Sequence, residues 1–414
     1  MSLISLFTTS LARQSVIFYF GSIFLSFGRY LWHLLLLKTL PPNAYGEFLS
    51  YISLIYLVTI PAGALSTLIN QLASFYYAKN QQSNLNRFYY TLLRLFVAPS
   101  LVLGLIIILL ATPIAKIFSA SSLAFLVLGA YVPLNLFGTI TRSYLPALQD
   151  FNFSLFLAFI EIVFTLLLTW IFLGLGAKGA ILALFLAALI TLFIGFIRLK
   201  KELFPPNFRP LKIPSLRHYF THSFIFSAGI QAFMSTDILL ARIYLPPTIS
   251  GYYSALSILG RTVFFALTPL SNLLLPIAAH RHASRRSSSS VFLKLLIPTI
   301  GFGLIATLVF SVFPTPIIRL FSGAAYFPIA PYLGLMAASM FIFAINNLFL
   351  AYFLALRLTS STYRLLVISL LQPILLFFFH SSLIQFVGLN LGLQIILAIS
   401  LTFFYCGHRK SLAA

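Results

Sequence analysis

Leu40-Pro41-Pro42-Asn43-Ala44-Tyr45-Gly46 recurs 205 residues later as Leu245-Pro246-Pro247-Thr248-Ile249-Ser250-Gly251. Each copy follows the end of one apolar run, at 34–38 and 239–243, and opens the next. A short Leu-Pro-Pro match arises readily by chance in a proline-bearing membrane chain. Here the copies join the first apolar run to the second and the seventh to the eighth, which argues for duplication of a six-helix half. Both copies cross the bilayer in the same direction. Parallel repeats of this kind are a transporter signature, with the substrate site between the halves.

The composition agrees. The 414 residues are 60% apolar and only 7% charged, whereas soluble chains average about a quarter charged. A soluble enzyme, a nucleic-acid-binding domain and a disordered protein are excluded, because this chain cannot cover a surface in water. Twenty-six Lys and Arg against five acids give a formal charge of +21. The bases are scattered over short loops, so the imbalance reads as membrane topology rather than as a nucleic-acid footprint. The single cysteine, Cys406, can form no intramolecular disulfide.

Twelve apolar runs are long enough to cross about 30 Å of hydrocarbon: 15–37, 45–69, 89–112, 122–141, 152–174, 178–199, 219–241, 252–277, 291–313, 328–354, 363–386 and 388–406. The first reads as a retained helix rather than a signal peptide. With the N-terminus inside, only Lys38, Lys116, Lys178, Arg242 and Arg319 fall on the outer side, and Arg142 falls in an inner loop. The bias places both termini in the cytoplasm. The expected fold is therefore an all-α integral membrane protein. Its twelve transmembrane helices form two six-helix bundles, 1–199 and 218–414, joined by a basic, proline-rich linker at 200–217, around a central cavity.

Polar residues fall in stripes at helical spacing. Ser22, Ser26, Arg29 and His33 share one face of the first span. An offset of 205 carries the stripe to Ser227, Gln231, Met234 and Ile238 in the seventh. The eighth carries Ser254, Ser257, Arg261, Phe265, Thr268 and Asn272. These stripes are expected to face a wet cavity, giving Arg29, Arg261, Ser22, Ser26, His33, Gln231, Ser257, Thr268 and Asn272 as substrate-binding candidates. An arginine within hydrocarbon costs several kcal/mol unless it is paired or hydrated. Two of them suggest an anion site, and guanidinium matches phosphate oxygens through parallel bonds. The plainer reading is that each snorkels to the interface or pairs with an acid such as Asp237. Glu161, near the middle of the fifth span, reads as a carrier of a coupling proton or as the partner of an arginine. Asp237 is a second coupling candidate, though local pairing accounts for it as well. Asn346 and Asn347 line the cavity or bond neighbouring helices. Tyr252 and Tyr253 read as an interfacial aromatic belt. No metal-ligand spacing, Walker motif or dinucleotide fingerprint is present, so no cofactor is expected and the energy source is a gradient.

The stretch from Arg29-Tyr30-Leu31 through Lys38-Thr39-Leu40-Pro41-Pro42-Asn43-Ala44-Tyr45-Gly46-Glu47-Phe48 resembles the opening of bacterial polysaccharide flippases. These are the Wzx-like members of the multidrug/oligosaccharidyl-lipid/polysaccharide exporter superfamily. Ala147-Leu148-Gln149-Asp150-Phe151, the glycine-rich turn Gly174–Ala180, Asp237-Ile238-Leu239-Leu240, Gly251-Tyr252-Tyr253-Ser254-Ala255 and Leu275-Pro276-Ile277-Ala278 extend the resemblance over nearly the whole chain. It implies two six-helix bundles around a cavity of alternating access. The implied substrate is an undecaprenyl-diphosphate-linked oligosaccharide moved between leaflets of the bacterial inner membrane. With twelve spans rather than fourteen, the resemblance favours the O-antigen or capsule type, feeding lipopolysaccharide or capsule synthesis, over the peptidoglycan type. Implied partners are membrane lipids, a glycan polymerase and a chain-length regulator, without nucleic acid. On this reading the chain is a transporter and not an enzyme. The competing readings are a multidrug/cation antiporter, which calls for an acidic cavity, and a membrane-embedded glycan polymerase or glycosyltransferase, which calls for a sizeable outer loop.

Overall fold

The computed structural model describes residues 10–199, 216–284, 287–356, 358 and 360–413. The expected linker falls outside the described residues as far as position 215. All regular structure among the described residues is helical: α1 (Ser10–Thr39), α2 (Pro42–Val58), α3 (Ile60–Ala78), α4 (Gln82–Leu109), α5 (Ala111–Ile117), α6 (Ser122–Ala147), α7 (Phe151–Ile171), α8 (Ala177–Arg198), α9 (Leu216–Tyr244), α10 (Pro247–Ala283), α11 (Ser289–Val312), α12 (Pro314–Phe321), α13 (Ala330–Ala355), α14 (Ser360–Phe378) and α15 (Leu383–Ala413).

Every expected span has its helix, but the second is broken. Pro61 lies in the first turn of α3. It has no N–H to continue the α2 ladder, and its ring crowds the preceding turn. The chain stops at Val58 and restarts at Ile60, with the Ala62 amide donating to the Thr59 carbonyl at 2.8 Å. Among the described residues, ten helices are long and apolar enough to cross a membrane, or eleven when α2 and α3 count as one broken span. The first expected span falls on the 30-residue α1, which is not among those helices.

The repeat is visible in the backbone. Pro42 and Pro247 are each the first residue of a helix, the position where a missing N–H costs nothing. The Tyr45 amide donates to the Pro41 carbonyl at 3.0 Å, and the equivalent Ser250 amide to Pro246 at 2.9 Å.

The chain packs as two compact units, one drawn from Met1–Leu36 and Val58–Ser227, the other from Leu37–Leu57 and Ala228–Ala414. This differs from the division at 199 and 218. The end of α1 and nearly all of α2 pack with the second unit, and the start of α9 with the first. Close contacts hold the 40–46 segment in the second unit. Gly46 abuts Gly251 backbone to backbone. The Tyr326 hydroxyl donates to the Leu40 carbonyl at 2.9 Å. Arg242 donates to the Asn43 carbonyl at 3.3 Å.

In the first unit α6 is the central helix, packed on α3, α4 and α8. Its core joins Leu65, Leu68, Ile69, Leu85, Phe88, Leu92, Ile140 and Tyr144. In the second, α13 is the most buried span and packs on α10, α11 and α15. Outward faces are apolar: Leu101, Leu105 and Leu109 on α4, and Ile297, Leu304 and Leu308 on α11, are all exposed. Such stripes are unfavourable in water and at no disadvantage among acyl chains. The protein is a multi-pass membrane protein.

Candidate functional site

The first unit contains a cavity of about 590 Å³ with a mixed polar and apolar wall, within the range of small-ligand sites. Its lining includes Arg29, Ser66, Asn70, Ser74, Thr139, Arg142, Ser143 and Ser154. Glu161 stands beside the two arginines. Arg142 Nη1 donates to Glu161 Oε2 at 3.0 Å, and Arg29 Nη2 lies 3.8 Å from the same oxygen. The side chain of Glu161 is 11% exposed, those of Arg142 and Arg29 24% and 58%. Two cations therefore share one carboxylate, and the cluster carries a net positive charge.

Local structure explains how these groups meet. α6 continues beyond its expected end at 141 to Ala147, which carries Arg142 into the helix. Leu148-Gln149-Asp150 then turns the chain. Gln149 takes the left-handed conformation at φ 62°, and the Asp150 amide returns to the Leu145 carbonyl at 3.0 Å. A three-residue turn makes α6 and α7 antiparallel neighbours, which brings Arg142 opposite Glu161. Arg198 clamps the turn by pairing with Asp150 at 2.7 Å. Gly138 lies one helical turn before Arg142. A Cβ there would stand 3.2 Å from both Arg142 Nη atoms, so the absent side chain is what accommodates the guanidinium. Trp32 Nε1 donates to Thr169 Oγ1 at 2.8 Å, which holds α1 against α7 and sets Arg29 beside Glu161.

Arg142 was not among the sequence candidates. Its place at the apparent end of the fourth span made it look like a topology-setting loop cation. The spacing of 19 residues to Glu161, centred on a turn, was the available signal.

Arg261 lies in the second unit, 5% exposed. Its Nη2 donates to the Met234 carbonyl, and its charge acts on Asp237. Because α10 begins at Pro247, Arg261 stands further from the helix end than a boundary at 252 implied. Asp237 Oδ2 accepts from the Tyr253 hydroxyl at 2.5 Å and from Asn390 Nδ2 at 3.3 Å, while Oδ1 accepts from the Ile238 amide at 2.9 Å. Gln372 Nε2 donates to Asn390 Oδ1 at 2.6 Å. One buried carboxylate thus joins α9, α10 and α15, with α14 linked through Gln372. Tyr253 is fully buried in this network, which corrects its assignment to an interfacial belt. Asn346 Nδ2 bonds Gln394 Oε1 at 2.7 Å, a helix-to-helix bond.

The other candidates divide. The side chain of Ser22 lies outside the described residues. Ser26 is exposed, and His33 and Gln231 are half-buried. Ser257 is buried. Thr268 returns its hydroxyl to the Phe264 carbonyl at 2.8 Å. Asn272 and Phe265 are exposed, so the stripe on α10 is buried only at Ser254, Ser257 and Arg261. Among the described residues, Arg29 is the one sequence candidate on the wall of the first unit's cavity.

No family model matches the chain, and no curated protein matches it by sequence. Solved structures do match. An inward-facing multidrug resistance MATE family transporter of the MOP superfamily aligns with TM-score 0.77 at 13% identity, over 92% of this chain and 94% of that one. The lipid II flippase MurJ, in an inward closed conformation, aligns with TM-score 0.75 at 15% identity, over 94% and 87%. An outward-facing MATE family transporter aligns with TM-score 0.63 at 14% identity, over 100% and 99%. The chain has the fold of the MOP-superfamily transporters.

Proposed function

We propose that this chain is a flippase. It carries an undecaprenyl-diphosphate-linked oligosaccharide, an O-antigen, capsule or exopolysaccharide unit, from the inner to the outer leaflet of the bacterial cytoplasmic membrane by alternating access. Both termini are cytoplasmic on this reading, as the loop bases require. The observation that carries the proposal is the cavity of the first unit, where Arg29 and Arg142 outnumber their one acid and the rest of the wall mixes the hydroxyls of Ser66, Ser74, Thr139, Ser143 and Ser154 with Asn70, Pro146, Ala147 and Phe151. An anion offsets such a charge. At about 4 Å and an effective dielectric near 20, each unit pair is worth about 4 kcal/mol before desolvation. The hydroxyls and Asn70 suit the first sugar. The space takes the diphosphate and its neighbour, while the rest of the glycan and the prenyl chain lie outside it.

A multidrug reading draws on the names of the MATE family neighbours. An organic cation would need an available carboxylate, and Glu161 is already held between two guanidiniums. A polymerase reading would need an extended catalytic loop, and the described connections are short. In a bacterium deleted for this gene, lipid-linked glycan should accumulate on the inner leaflet and surface glycan should disappear, with ethidium efflux unchanged. Unaltered surface glycan together with lost ethidium efflux would replace the flippase with a drug exporter.

A further inference from the structure

We infer that Glu161 is a displaceable stand-in for the substrate's diphosphate: the lipid diphosphate takes its place on Arg142 and Arg29 during binding, and Glu161 reclaims them at release. This deepens the flippase reading and rests on it.

The geometry points to exchange rather than to a fixed structural pair. Both guanidiniums converge on a single oxygen, Glu161 Oε2, at 3.0 and 3.8 Å. That is the arrangement one phosphoryl oxygen would take between two arginines. The donors face the cavity, whereas Glu161 is not part of its wall. An incoming anion therefore meets the arginines from the open side while the carboxylate holds them from behind. Arg29, 58% exposed and beyond hydrogen-bonding distance of Glu161, is the more loosely held. Arg142 is hydrogen-bonded to Glu161 and rests its guanidinium against Gly138, where a Cβ would stand 3.2 Å from both Nη atoms.

Charge explains why a stand-in is useful. Two arginines with no nearby acid would bind a dianion tightly and release it slowly, and their own burial would be costly without it. A carboxylate behind them relieves that cost in the empty protein and competes with the bound diphosphate. Uniformly tighter ground-state binding does not raise turnover. Among the described residues, the charged groups that face Glu161 from other helices are Arg29 of α1 and Arg142 of α6. On α8, Arg198 is engaged with Asp150 at the far end.

The test is binding of farnesyl diphosphate, with farnesyl monophosphate and inorganic pyrophosphate as companions, to the full chain in nanodiscs. Glu161→Gln should bind farnesyl diphosphate about tenfold tighter, and Arg142→Ala about tenfold weaker. In the Arg142→Ala/Arg29→Ala background, Glu161→Gln should add no tightening, because the carboxylate would have nothing left to compete for. This second comparison keeps the idea testable if Glu161→Gln alone is poorly folded. Glu161→Gln that binds no tighter than wild type, or that tightens equally without the arginines, overturns the exchange while leaving the flippase intact. Wild-type protein that binds no diphosphate overturns both.

Discussion

Gly46 and Gly251 stand backbone against backbone, and a Cβ on Gly46 would come within 2.8 Å of the Gly251 Cα. They are the last residues of the two copies of the repeated motif. A Cβ on Gly251 would collide with the Pro42 carbonyl, which is main chain and cannot turn aside. Duplication has thus left two equivalent helix starts, α2 and α10, crossing at their smallest residues. Gly251→Ala should destabilise the protein by about 1–3 kcal/mol through overpacking, read as a lower unfolding temperature in detergent. An unchanged unfolding temperature would mean that the crossing is not closely packed.

Arg142 should matter as much as Arg29. Arg142→Ala removes a charge-assisted donor worth about 1.5–3 kcal/mol, a loss of tenfold or more in diphosphate affinity. Arg142→Lys should restore only part of it, because an ammonium cannot make two parallel bonds to phosphate oxygens. Full recovery with lysine would show that charge alone is read. The comparison is made by titrating farnesyl diphosphate into each variant.

Gly138→Ala should weaken the same binding by less than Arg142→Ala does. The added methyl meets the far end of a flexible side chain, which can shift at the cost of its alignment. Expression and unfolding temperature should stay at wild-type values. A loss of folded protein would instead place Gly138 in the packing of α6.

The Asp237 network is expected to serve stability. Tyr253→Phe removes the hydroxyl that donates to Asp237 and accepts from Asn390. Asp237→Ala leaves both partners buried without their acceptor. Each unsatisfied group costs about 1–3 kcal/mol, so both variants should unfold at lower temperature, Asp237→Ala the more. Arg261→Ala belongs to the same series and should leave farnesyl diphosphate affinity close to wild type. A large affinity loss in Arg261→Ala would return that arginine to the substrate site.

The fold was largely legible in the sequence, because crossing a bilayer demands long apolar runs and those are read directly. The break at Pro61 was harder. Proline is tolerated within several other helices here, including Pro99 in α4 and Pro133 in α6, so its presence alone does not announce an interruption. The packing of residues 37–57 with the second unit was hidden for another reason. It depends on Gly46 meeting Gly251, a contact 205 residues apart, although the repeat had already marked both positions. At the candidate site, depth within a span singled out Arg29 and Glu161, which the structure places 3.8 Å apart. It missed Arg142, since a basic residue near a span boundary is ordinarily a topology signal, and only the three-residue turn after α6 shows that it points back toward Glu161. The stripe on α10 is buried at Ser254, Ser257 and Arg261 and exposed at Phe265 and Asn272, because periodicity cannot tell where a buried face gives way to an exposed one.

The most direct test is translocation itself. Proteoliposomes holding the full chain and a fluorescent undecaprenyl-diphosphate oligosaccharide would be exposed to a membrane-impermeant quencher. The accessible fraction would be followed in time for wild type and for Arg29→Ala/Arg142→Ala. Wild type should bring the inner-leaflet pool to the quencher, and the double variant should leave it protected as in protein-free vesicles. Equal rates for the two proteins, or no movement with wild type, would contradict the account.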